Sequence, residues 1–67
     1  MNAERLKKKI AEKQTTVEAV AKAANMDKST FYRKIQPNNK GFTVREAKAI
    51  ALALKMNGAE ANAIFYS

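Results

Sequence analysis

Apolar positions along this chain recur at helical spacing, and no segment shows the strict alternation that a half-buried strand requires. In the first segment, Leu6 and Ile10 stand four apart, with Ala3 one turn earlier. That narrow stripe predicts a helix from about Ala3 to Lys13, capped by Asn2. Lys7, Lys8, Lys9 and Lys13 surround the stripe and read as a solvated face. The next segment, "TTVEAVAKAA", buries Val17, Val20, Ala21 and Ala24 along one side. Its start is open at this point: Thr16 is a good N-cap for Val17, whereas Thr15 with Glu18 would close a capping box one residue earlier.

The "NMD" that follows is a corner. Asn25 tolerates the left-handed backbone that ends a helix, and Met26 can plug the core beside it. Asp27 caps a third helix, expected from Lys28 to about Gln36, where Pro37 stops it. At about 100° per residue, Phe31 and Ile35 share the inner side of that helix, while Ser29 and Arg33 point away from them. Thr30, Tyr32 and Gln36 flank the outer face, and Lys28 and Lys34 stand at its edges within reach of a backbone phosphate. The "PNNKG" cluster is a turn. Thr43 and Glu46 then form a capping box, with Phe42 placed to staple onto Ala47. The fourth helix is expected to bury Val44, Ala47, Ile50, Ala51 and Leu54. Asn57 with Glu60 repeats the start signal and opens a short last helix through "ANAIFY". Ile64, Phe65 and Tyr66 are consecutive, so they cannot all face one core, and an exposed aromatic there suggests a protein contact.

Composition narrows the possible functions. Sixty-seven residues suit one small domain, residues 1–67, with little surface to bury and modest stability. The chain has neither Cys nor His, which leaves no disulfide and no ordinary zinc site; no metal or cofactor is expected. No apolar run approaches the length of a membrane span, and the charged N-terminus does not read as a secretory signal, so a cytoplasmic protein is expected. An enzyme is not expected: the acids are few and mostly explained as helix caps, and so small a helical body has little room for a pocket. No small-molecule ligand is expected for the same reason. Thirteen Lys and Arg against six Asp and Glu give a net charge of +7, which points to a polyanionic partner, nucleic acid before an acidic membrane. The basic first helix has only a narrow apolar stripe and no aromatic anchor, which argues against the membrane.

An all-α bundle of about five short helices, with a tight-turned pair at the second and third, is a helix-turn-helix arrangement. The stretch "TVEAVAKAANMDKSTFYRKI" resembles the helix-turn-helix of Cro/C1-type (XRE-like) transcriptional regulators, which have the lambda-repressor-like fold. The following "GFTVREAKAIALALKMNGAEANAIFY" resembles the small single-domain regulators of phages and prophages. Ala21 matches the small residue of the first motif helix, Asn25 stands where the family usually has Gly, and Asp27 matches the capping Ser or Thr. Val17 stands where many relatives carry Gln, and Ala19 where Glu usually closes the capping box.

The resemblance implies a sequence-specific regulator, typically a repressor, that acts as a homodimer on a palindromic double-stranded operator. It places Lys28, Ser29, Thr30, Tyr32 and Arg33 at positions from which the family contacts DNA. On chemical grounds Arg33 can read guanine bidentately, and Gln36 can read adenine if close enough. Lys28 and Lys40 are candidates for the backbone, Thr16 is a further DNA-binding candidate, and Phe65 and Tyr66 are candidates for a dimer contact. Two other readings stand beside this one. The first is a protein-interaction module on the same fold, such as an antirepressor, against which the basic charge argues. The second is an accessory factor in recombination or excision, against which the lack of any wing-like strand pair argues.

Overall fold

Five helices follow one another: α1 (Ala3–Glu12), α2 (Val17–Ala23), α3 (Lys28–Lys34), α4 (Val44–Ala53) and α5 (Gly58–Phe65). This is a computed structural model; it describes residues 1–66, and Ser67, the last residue of the expected domain, lies outside them. Each helix begins where a side chain can satisfy its free N–H groups. Asn2, Thr16, Asp27, Thr43 and Asn57 are the five N-caps, each accepting from a backbone N–H of the first turn. The choice at α2 falls to Thr16, whose hydroxyl accepts from Ala19 N–H at 3.1 Å. Capping boxes close at Thr43/Glu46 and Asn57/Glu60.

The core is one apolar cluster: Leu6 and Ile10 from α1, Val20, Ala21 and Ala24 from α2, Phe31 and Ile35 from α3, Ile50 and Leu54 from α4, and Ile64 from α5. α2 packs against α3 and α4, α4 against α5, and α5 against α1. The start of α1 is also tied to the end of α5, because Asn2 N–H donates to the Ile64 carbonyl at 2.7 Å. Phe42 lies over Phe31 with ring centroids 5.0 Å apart, and Phe65 meets Phe42 edge-on at 6.1 Å. Such aromatic pairs add about 0.5–1.5 kcal/mol beyond their buried area.

Three expectations from the pattern need correcting. Val44 is 58% exposed rather than buried, and Ala51 is only half-buried. Ala47, Ile50 and Leu54 define the inward direction of α4, and both residues lie on the flank of that arc, Val44 at roughly 90° from its centre. The space above Phe31 is taken by Phe42 instead. α3 also ends earlier than expected, at Lys34 with Ile35 as its C-cap. The turn before Pro37 tightens, and Gln36 N–H reaches only to the Arg33 carbonyl, at 3.3 Å.

Three of the helices end in the same way. After α1, α2 and α4 one residue turns left-handed: Gln14 (φ 55°), Asn25 (φ 58°) and Lys55 (φ 54°). Each next residue sends its N–H back to the carbonyl five earlier: Thr15 to Ile10 at 3.2 Å, Met26 to Ala21 at 2.8 Å and Met56 to Ala51 at 2.9 Å. These are Schellman caps, a setting that usually carries glycine because a Cβ is strained there. Asn25 suits the position; Gln14 and Lys55 do not. Gln14→Gly and Lys55→Gly should each therefore stabilise the fold by about 0.5–1 kcal/mol, read from urea midpoints, whereas Asn25→Gly should gain less. A loss of stability in both glycine variants would show that these corners are not strained.

Candidate nucleic-acid interface

α3 is seven residues long, too short to be stable on its own, so its orientation is set by what it buries. Phe31 is fully buried and Ile35 is 3% exposed, and together they fix the inner face. Asp27 fixes the start, its carboxylate accepting from Ser29 N–H at 3.2 Å. The corner before it is closed by the Asn25 cap, so α2 and α3 form a rigid pair with a tight turn. On the side opposite Phe31 and Ile35 stands Arg33, which is exposed and has no acidic partner among the described residues.

The neighbours of Arg33 divide by exposure. Lys28, Ser29, Tyr32 and Gln36 are exposed, and Thr30 is half-buried. Tyr32, at 45% exposure, is a surface aromatic rather than a rim of the core. Lys28 Nζ lies 3.5 Å from the Glu18 carboxylate, both side chains more than half exposed, so the pair is weak and easily exchanged for a phosphate. Gln36 is already engaged: its Nε2 donates to the Tyr32 carbonyl at 3.0 Å and satisfies an acceptor at the end of the helix. That bond uses one of its two amide hydrogens, and the second hydrogen and Oε1 stay available to a partner. Thr16 uses its hydroxyl as the α2 cap, and Lys40 is exposed in the loop between α3 and α4.

Lys34, placed by the helical period at an edge of α3 within reach of a phosphate, is instead engaged within the fold. Its Nζ donates to both carboxylate oxygens of Glu46 at 2.8 Å, with both side chains only about a fifth exposed. It is a strut from α3 to α4. A parallel strut joins α1 to α5, where Lys9 Nζ meets Glu60 at 2.8 Å and Glu12 at 3.1 Å. The sequence marks Glu46 and Glu60 only as members of capping boxes. Local spacing carries no sign of their lysine partners, which lie 12 and 51 residues away.

These pairs shift the ionisation of their members. Partial burial pushes the Glu46 carboxyl up, but the Lys34 ammonium and the Thr43 backbone N–H and hydroxyl outweigh it and hold the group below the ordinary carboxylate range. The Glu60 carboxyl is also held down, first by Lys9 and then by the Asn57 N–H. Lys9 is correspondingly raised, by Glu60 and then by Glu12. In the last turn of α5, Ile64 is 2% exposed and Phe65 is partly buried on Phe42, and Tyr66 just after it is 57% exposed.

Comparison with known proteins agrees with this geometry. A family model described as a Cro/C1-type HTH DNA-binding domain matches residues 5–63. No curated protein and no solved structure matches the chain.

The depressed Glu46 carboxyl gives the Lys34 strut a pH signature. Its contribution is complete above the ordinary value of 4.5 and is lost as pH falls through the lower value of the folded state. Glu46→Gln keeps the capping geometry but removes the charge. At neutral pH it should cost about 1 kcal/mol, seen as a drop of about 4–8 °C in melting temperature by circular dichroism. That gap should narrow as pH falls below 4.5 and close once the parent carboxyl is protonated too. A gap that stays constant from neutral to acid pH would mean the ion pair adds nothing.

Proposed function

The chain belongs to the Cro/C1-type helix-turn-helix DNA-binding family, and on that premise we propose that it is a sequence-specific transcriptional regulator, a phage or prophage repressor, that reads double-stranded DNA in the major groove with α3. The observation that carries this reading is Arg33. It is the one cation of α3 without an acidic partner among the described residues, since Glu18 engages Lys28 and Glu46 engages Lys34. It stands opposite Phe31 and Ile35 on a helix held at both ends. The guanidinium fork matches the two acceptors on the major-groove edge of guanine. Ser29 and Tyr32 lie on the same exposed side and supply hydroxyls to bases or phosphates. Lys28, Lys40 and the α2 end at Thr16 serve the backbone, where they add affinity but carry no sequence information.

Selection of bound sequences from a random duplex pool tests the reading directly, because it yields site, symmetry and half-site spacing together. Arg33→Ala should leave helicity and melting unchanged, since no buried partner is lost. It should cost about 1–3 kcal/mol of specific affinity in a fluorescence anisotropy titration and relax preference at one base per half-site. Arg33→Lys should restore part of the general affinity and little of the discrimination. An alanine variant as tight and as selective as the parent would remove α3 as the reader.

A homodimer on a palindromic operator belongs to the same proposal, with the exposed Tyr66 at the contact and the half-buried Phe65 supporting it from the core side. Tyr66→Ala should keep the melting temperature and abolish cooperative occupation of the two half-sites. Unaltered cooperativity in gel-shift titrations would place the dimer contact elsewhere.

A further inference from the structure

The outer face of α4 carries a second feature that DNA reading by α3 does not use. Val44, Arg45, Lys48 and Leu52 fall within an arc of about 100° on that helix. Val44 is 58% exposed and Leu52 79%, the most exposed large apolar side chain among the described residues. Arg45 and Lys48 are exposed, and Lys55 follows at the left-handed corner just beyond the helix. None of these three cations has an acidic partner within 4 Å among the described residues. Glu46, which faces α3 through Lys34, lies on a different side of α4, so the stripe is turned away from the strut to α3.

We propose that this stripe is a docking surface for an acidic, amphipathic segment of another protein, with leucine-like side chains seated on Val44 and Leu52 and carboxylates set against Arg45, Lys48 and Lys55. Charge decides the occupant. A second copy meeting the stripe across a two-fold axis would bring three cations against three cations with no acid between them, which like-charge repulsion opposes. A nucleic-acid backbone would satisfy the cations but leave Val44 and Leu52 idle. An acidic segment with apolar anchors satisfies both sets at once, through a helix-on-helix contact of the kind that amphipathic partners make. The surface gives a regulator with a separate reading helix a means of being held or recruited by protein.

The probe is a synthetic amphipathic peptide of glutamates and leucines, titrated into the isotope-labelled full chain and followed by amide NMR shifts. Shifts should concentrate on residues 44–56 and persist when the chain is saturated with duplex DNA. Leu52→Ser and Lys48→Glu should each weaken peptide binding about tenfold, and Leu52→Ser should leave melting and DNA affinity unchanged. A control peptide with serine in place of every leucine should bind at least about fivefold more weakly, because the apolar anchors are gone. Shifts spread evenly over the lysines of α1 would reduce the stripe to general electrostatics and overturn the proposal. So would unchanged binding in both variants, or stripe resonances that respond to protein concentration alone, which would make a second copy the occupant. Binding to anionic phosphatidylglycerol vesicles through the same residues, with none to the peptide, would assign the surface to a membrane instead.

Discussion

The burial of Phe31 is the contact on which the rest of this molecule depends. A helix of seven residues has too few internal hydrogen bonds to offset its nucleation cost, so α3 exists because its inner face is held. Phe31 is fully buried among side chains of the common core and is covered by Phe42, which in turn meets Phe65. One aromatic relay therefore joins α3, the loop before α4 and α5. Removing the ring would open a cavity under all three, at a cost of about 3–5 kcal/mol, a large fraction of the stability available to so small a domain. The same contact sets function, because a helix whose inner face is pinned has a determined outer face. Arg33 points outward because Phe31 and Ile35 point inward.

Polar ties add the precision that apolar burial lacks. Glu46 and Glu60 occupy equivalent places, the third position of a capping box, and each also receives a lysine from an earlier helix. A single carboxylate thus sets where a helix starts and how another lies against it. The Lys34–Glu46 bond keeps the end of α3 from rotating about the Phe31 anchor, and Lys9–Glu60 does the same for α1 on α5. The most enclosed lysines are spent on structure, which leaves the outward cations of α3 and α4 for partners.

Much of this was legible in the sequence, for a local reason. Four of the five N-caps, the Asn25 corner and the inward pair Phe31 and Ile35 follow from side chains acting within about four residues, the range over which helical period and capping chemistry operate, while the pattern left Thr16 and Thr15 as alternatives at α2. The pattern falls silent where a residue's place depends on distant packing. Val44 sits near the edge of an apolar stripe, and only the position of Phe42 decides that the core stops short of it. Lys34 looks like any surface lysine until α4 brings Glu46 beside it. Gln14 and Lys55 gave no signal as corners, because neither residue type favours the left-handed backbone it adopts there. At the interface itself, the outward set on α3 was readable from the period, whereas the engagement of Gln36 with the end of its own helix was not.

Charge links these observations. Of thirteen Lys and Arg, only Lys9, Lys28 and Lys34 stand in ion pairs among the described residues, and the chain carries a net +7. Self-repulsion of that size works against compactness in a domain whose core is one small apolar cluster. Stability alone would favour more acids, and the fold has room for them, since Arg33, Arg45, Lys48 and Lys55 are all exposed. Anionic partners that bind only the folded state and neutralise those cations, one at α3 and another at α4, supply the missing compensation by mass action. The excess charge is therefore best understood as a property of the free protein that its anionic partners complete.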